Sequence, residues 1–216
     1  MEYINDIVIF YRDGGAFMHP ILLVGAIGLA IIIERTIKLT QVGSANRKMW
    51  TMLHPVLVER DFDKARAMTA GNKSTISELL NLGLERQGAV RRRDDIEIAM
   101  EEGMMEIIPQ LEKRTGYVAL FANVATLLGL LGTIIGLIQA FNAVAKANPA
   151  DKAELLSASI SVAMNTTAFG LIVAVPLLIA HHYLNSKTGE IVDSLEMASV
   201  KTLNVIVSSA TSPLPK

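Results

Sequence analysis

The stretch GYVALFANVATLLGLLGTIIGLIQAF, residues 116–141, decides the fold. No Asp, Glu, Lys, Arg or His falls between Thr115 and Ala145. As an α-helix rising about 1.5 Å per residue, it outreaches a hydrocarbon core of roughly 30 Å, so it is predicted to cross a membrane. At about 100° per residue, Ala119, Ala122, Thr126, Gly129, Thr133, Gly136 and Ala140 share one stripe, while Leu127, Leu130, Ile134 and Ile138 point elsewhere. Such a stripe either lets another backbone come close or lines a polar cavity. Residue types alone leave both open.

A second stretch of the same kind follows, LLSASISVAMNTTAFGLIVAVPLLIA, residues 155–180. Its small and hydroxyl residues Ser159, Ala163, Thr167, Gly170 and Ala174 form a matching stripe, with Asn165 and Thr166 off that line. Pro176 is expected to kink it near one end. Lys146 to Pro149 make a short turn between the two spans. Upstream, an apolar run from Phe17 to Ile33 stops at Glu34-Arg35 and is predicted to be the first of three spans, continuing as a helix through Thr36 to Leu39.

The whole composition agrees with a polytopic helical membrane protein. Of 216 residues 51% are apolar, and the formal net charge is −1, which argues against a soluble enzyme and against a nucleic-acid partner. There is no cysteine, so disulfides and thiolate chemistry are excluded. Glu2 and Asp6 stand where a cleavable signal would be basic, so the N-terminus is expected to be retained. Tyr3 to Tyr11 reads as an interfacial amphipathic segment. Arg35, Lys38, Arg47 and Lys48 follow the first span closely, and Lys113-Arg114 precedes the second. The positive-inside rule therefore places the N-terminus outside and the large loop and C-terminus in the cytoplasm.

The expected organisation is 1–40 as N-terminal segment and first span, and 41–114 as a cytoplasmic helical domain. Residues 115–185 form the hairpin of spans two and three, and 186–216 a cytoplasmic helix and tail. Asp94-Asp95 are placed to start a helix with Ile96, Ala99, Met100, Met104, Ile107, Ile108 and Leu111 on one face, running toward the second span with at most a kink at Pro109. That face is expected to pack on the segments around Trp50 to Leu57 and Ile76 to Leu84, or on a neighbouring subunit. His54-Pro55 reads as a turn. Arg91-Arg92-Arg93 reads as a solvated loop. Lys187 to Val207 is expected to be an amphipathic helix with Ile191, Val192, Leu195 and Ala198 on one side, and Ser212 to Pro215 a disordered end. His181-His182 point about 100° apart on a helix, a poor chelate; no metal or cofactor is expected.

None of the three spans carries an ionisable side chain at membrane depth. A proton carrier needs such a group, usually a carboxylate. Either the threonines and glycines only pack helices, or they form a polar wall around a carboxylate supplied by another polypeptide. Hydroxyls suit the second task because they orient water, bond a neutral acid and coordinate a cation without a fixed charge.

LLGLLGTIIGLIQAF (residues 127–141) and NTTAFGLIVAVP (165–176) resemble the second and third spans of the MotA/TolQ/ExbB family, and Ile33-Glu34-Arg35 is similar to the end of the first span in its ExbB/TolQ branch. The resemblance implies an all-α, three-span inner-membrane protein with long helices reaching into the cytoplasm, assembled as a homopentamer around a central pore. It implies an ExbD- or TolR-like single-span partner bringing an aspartate, and a TonB- or TolA-like protein that receives the work. The transported species is then a proton, or sodium. Thr133 matches the family's GLLGT motif and Thr167 its TAxGL motif. Together with Thr126, Ser159, Asn165 and Thr166 they are the expected ion pathway, and Gly129, Gly132, Gly136 and Gly170 the expected packing positions. Where well-known ExbB members carry a glutamate five positions before the third-span threonine, Val162 stands here. The competing reading is a structural scaffold held by small-residue packing.

Overall fold

A computed structural model describes residues 10–12, 14–87 and 93–211, the side chains of 210 and 211 excepted. The interfacial segment of Tyr3 to Tyr11 lies outside the described residues apart from its last two. The same is true of Arg91-Arg92 in the basic run and of Ser212 to Pro215. Everything described is helix, turn or irregular chain: α1 Met18–Val58, α2 Phe62–Ala70, α3 Thr75–Arg86, α4 Arg93–Glu112, α5 Thr115–Lys146 and α6 Lys152–Thr211. The protein is all-α, and among the described residues three helices are long and apolar enough to cross a membrane. In the most apolar window of each, 17%, 28% and 28% of the residues are buried within the chain. The uncovered apolar faces suit lipid or further protein.

The chain divides into two units, one comprising Met1–Glu34 with Arg114–Leu184 and the other Arg35–Lys113 with Asn185–Lys216. In the first unit α5 and α6 form an antiparallel hairpin whose inner face is built from Val118, Ala122, Ala125, Gly129 and Gly132 against Ala163, Thr166, Gly170, Ala174 and Leu177. The first helix joins this face through Gly25 and Gly28, which leave room for Val173 and Leu177. Bulky side chains point away; Leu127, Leu130, Ile134 and Ile138 are all about half exposed or more.

The second unit packs differently. Leu39, Leu53 and Leu57 of α1, Leu79, Leu80 and Leu84 of α3, Met100 and Ile107 of α4, and Leu195 and Ala198 of α6 are buried aliphatics of ordinary size. The helices α3 and α4 approach closely where Gly83 faces Met100 and Gly103 faces Leu82. Side-chain caps start the short helices: Asp61 accepts from Lys64 N at 3.1 Å for α2, and Ser74 accepts from Ser77 N for α3. Asn46 ties α1 to the start of α3, exchanging bonds of 2.7 and 2.9 Å with the Thr75 hydroxyl and accepting from Ile76 N.

Two expectations about helix ends need correction. His54-Pro55 is not a turn. Helix α1 continues through both to Val58, Pro55 being accommodated inside it, and the His54 ring packs against Trp50 at 5.1 Å, tilted by 57°. The turn comes at Arg60, whose φ of 62° places it in the left-handed region, with Arg60 N bonded to Leu57 O and Asp61 N to Val56 O. This double closure satisfies the last carbonyls of the helix. Likewise, the rod from α4 into α5 is not interrupted at Pro109, which lies within α4. It breaks at Lys113-Arg114, where Arg114 has φ 67°.

The two residues that end the apolar part of α1 hold the groups on either side of that break. Glu34 accepts from the Arg114 guanidinium at 2.9 and 3.0 Å. Arg35 is buried, and it donates to the carbonyl of Leu111 in the last turn of α4, where no intrahelical donor remains.

Candidate functional site

The candidate site is the face of the α5/α6 hairpin that carries hydroxyls. Its geometry follows from glycine. A Cβ on Gly129 would lie 3.2 Å from Thr167 Cα and 3.3 Å from Gly170 Cα, and a Cβ on Gly170 would lie 2.8 Å from the carbonyl of Ala125. Backbone therefore rests on backbone at this crossing, which only residues without a side chain allow. Gly132 faces the Thr166 methyl and Gly136 faces Ala163. All four glycines thus face α6 or α5 of the same chain.

The expected ion-pathway residues separate into groups. Thr126 and Thr133 lie about 60° around α5 from the glycine face, the first exposed and the second half-buried. Thr167 flanks the crossing on α6 and is half-buried, as are Ser159 and Asn165. Asn165 projects from the side of α6 opposite the glycine crossing. Thr166 is different: it is only 2% exposed, and its hydroxyl donates to the carbonyl of Gly14 at 2.6 Å, tying α6 to the turn before α1. That turn uses Gly15 at φ 77° and is roofed by aromatic contacts of Phe10 and Tyr11 with Phe169 at 6.4 and 5.8 Å.

What the rim threonines offer chemically can be read from their hydrogen bonds. Thr126 donates to Ala122 O at 3.1 Å, Thr133 to Leu130 O at 2.6 Å, and Thr167 across to Gly129 O at 2.9 Å. Each hydroxyl has one proton and two lone pairs. With the proton committed to a backbone carbonyl, each presents acceptor oxygens, the half that a cation, a water or a protonated acid would meet. No Asp or Glu accompanies them between Thr115 and Lys146 or between Leu155 and Ala180.

The sequence pattern of the MotA/TolQ/ExbB proton channel family matches residues 71–197, from before α3 to well along α6. The chain belongs to the MotA/TolQ/ExbB proton channel family. Its curated relatives lie in the ExbB/TolQ branch. The chain is 26% identical over 215 residues to a biopolymer transport protein ExbB homologue of Methanothermobacter thermautotrophicus, covering 94% of this chain and 71% of the relative. It is 29% identical over 111 residues to the biopolymer transport protein ExbB of Aquifex aeolicus (51% of this chain, 72% of the relative). To the Tol-Pal system protein TolQ of Haemophilus influenzae it is 33% identical over 93 residues (43% and 40%). The family is one of membrane channel and transport components rather than enzymes.

Val162, at the position of the missing glutamate, is 37% exposed and offers only its carbonyl, which accepts from Thr166 at 3.0 Å. His181 is half-buried and His182 exposed, and among the described residues no three His, Cys, Asp or Glu side chains gather as a metal set. One polar group that the sequence reading passed over is His19. Its imidazole packs edge-on to Tyr11 at 5.5 Å in the first turn of α1. The signal was present in the sequence, an imidazole two residues inside an apolar run.

Proposed function

We propose that this chain is the channel-forming subunit of an ion-driven motor in the bacterial inner membrane, of the ExbB–ExbD or TolQ–TolR type. Five copies surround transmembrane helices of an ExbD- or TolR-like partner whose aspartate carries the ion, and the resulting movement is handed to a TonB- or TolA-like protein serving outer-membrane transport or integrity. The N-terminus is periplasmic and the second unit cytoplasmic, in keeping with the cations Arg35, Lys38, Arg47 and Lys48 that follow the first span.

The observation that carries this reading is the acceptor-presenting rim of Thr126, Thr133 and Thr167 on helices with no carboxylate of their own. Ser159 extends the wall, Thr166 holds it from behind through Gly14, and Asn165, on the far side of α6, is not part of it. With Val162 in place of a glutamate, no relay through this chain's own acid is available, and the partner's aspartate works alone. The ion is a proton, or a sodium ion bound through threonine oxygens. Moving one charge through 100 mV yields about 2.3 kcal/mol, whereas driving a two-state element from 1:99 to 99:1 needs about 5.5 kcal/mol. Small repeated steps around a ring therefore fit better than one large stroke.

Thr167→Val keeps the shape and removes the oxygen. Energised transport should be lost while the oligomer, followed by native mass spectrometry in detergent, is retained; wild-type transport by this variant would overturn the pore role. Replacing sodium by choline or potassium in the same transport measurement separates the two ions. The scaffold reading draws support from the glycine crossing, and it requires Thr133→Ala and Thr167→Ala to be nearly silent.

A further inference from the structure

The second unit leaves two unlike surfaces uncovered. One is a groove of about 470 Å³ between α4 and α6, floored by Met104 and Leu203, with Met105 and Val200 standing 72% and 56% exposed on its walls. Its rim is acidic, formed by Glu97, Glu101 and Glu196. Glu97 pairs with Arg93 at 3.4 Å, and among the described residues no cation pairs with the other two. The other surface is the outer face of α1, opposite its buried Met49, Leu53, Val56 and Leu57. Here Arg47, Lys48, Met52, Pro55 and Val58 are exposed, Met52 to 45% and Val58 to 59%, with Glu59 exposed just past the helix end, and no carboxylate among the described residues pairs with either cation.

Exposed apolar strips framed by charge mark places where another protein binds. The signs here say which one. Groove on groove brings together two acidic rims, and stripe on stripe offers Arg47 and Lys48 only Glu59, just past the helix end, as an exposed acid, so neither two-fold contact satisfies its charges as fully. Groove on stripe pairs unlike charges and apolar on apolar. The lengths also agree, since Glu97 to Ile108 and Arg47 to Val58 are each twelve residues of helix, about 16 Å from end to end. A contact between two different patches leaves one of each free on every copy, so it repeats, giving a ring where the rotation between copies closes, instead of stopping at a dimer.

We propose that the second unit docks head to tail on further copies of this chain, the basic outer face of α1 lying in the acidic groove between α4 and α6 of its neighbour. This rests on the oligomeric reading given above and names the surface that builds it.

The chain has no cysteine, so two can be introduced cleanly at exposed sites. In membranes carrying Met52→Cys with Met105→Cys, mild oxidation or a short bis-maleimide should give a ladder of covalent oligomers beyond the dimer. Either cysteine alone should give none. A dimer from a single cysteine would overturn the head-to-tail arrangement, and cross-linking to a different protein would overturn the choice of occupant. Glu101→Lys with Glu196→Lys should weaken assembly by roughly tenfold or more, and adding Arg47→Glu with Lys48→Glu should restore it. Failure of that rescue counts against the pairing. If native mass spectrometry finds an oligomer but the paired cysteines give no ladder, this inference falls and the proposed function stands. If it finds a monomer, both fall.

Discussion

The two units of this chain solve the same packing problem with opposite materials. Where α5 crosses α6, contact is made by Gly129, Gly170, Ala125 and Ala163, and the large aliphatics face outward. In the second unit Leu53, Leu79, Leu80, Leu84 and Leu195 fill the interior. On the proposed placement, with the first unit in the membrane and the second outside it, the difference reflects the surroundings. Between lipid tails there is no hydrophobic gain in bringing leucines together, so helices associate through close backbone approach and dispersion contacts. In water, removing aliphatic area is the main driving force.

That contrast can be broken most severely at the crossing. Gly170→Leu would drive a side chain into the carbonyl of Ala125 and the backbone of Gly129, where neither can yield. We expect the largest effect here, loss of folded protein extracted from membranes, measured as recovery on size-exclusion chromatography. The same consideration applies to Gly132→Leu and Gly136→Leu, which should disrupt the hairpin within one chain before any contact between chains. Next in size is Leu80→Ala, a cavity in the core of the second unit, expected to cost about 2–5 kcal/mol and to lower the thermal midpoint followed by circular dichroism. Because Leu80 belongs to the second unit, the comparison sharpens if Leu80→Ala loosens α3 and α4 in hydrogen exchange while protection of α5 is unchanged.

Asn46→Ala should come third. It removes the bonds to Thr75 and Ile76 and should cost about 1–3 kcal/mol, read by the same melt. Smallest is Glu34→Gln. The ion pair with Arg114 is about half exposed on both sides, and such pairs contribute roughly 0–1 kcal/mol, less at high salt. A melt shifted by several degrees in this variant would mean that the pair does more than an exposed contact can.

Much of this was legible in the residues. The uncharged runs fixed three long helices because a membrane-length apolar segment has few alternatives, and the motifs around Thr133 and Thr167 pointed to the family that residues 71–197 match. Less legible was how each stripe divides. Ala122, Gly129, Thr126 and Thr133 share a third of a turn on paper, yet the structure buries the first two and leaves the threonines at the rim. Thr166, next to Thr167, turns instead toward Gly14, 152 positions away. Periodicity gives the side of a helix to within a residue or so, whereas the choice between core and rim depends on where a neighbour's backbone lies.

Composition alone determined that this protein is helical, crosses a membrane three times and carries no acid on its spans, since a missing charge needs no geometry to be noticed. Only the tertiary structure decided that Arg35 is a buried donor to Leu111, that the α4–α5 rod breaks at Arg114 rather than Pro109, and that the threonine protons are committed to backbone carbonyls. These are facts about partners distant in sequence or about the direction of single bonds, and a local pattern of residue types does not encode either.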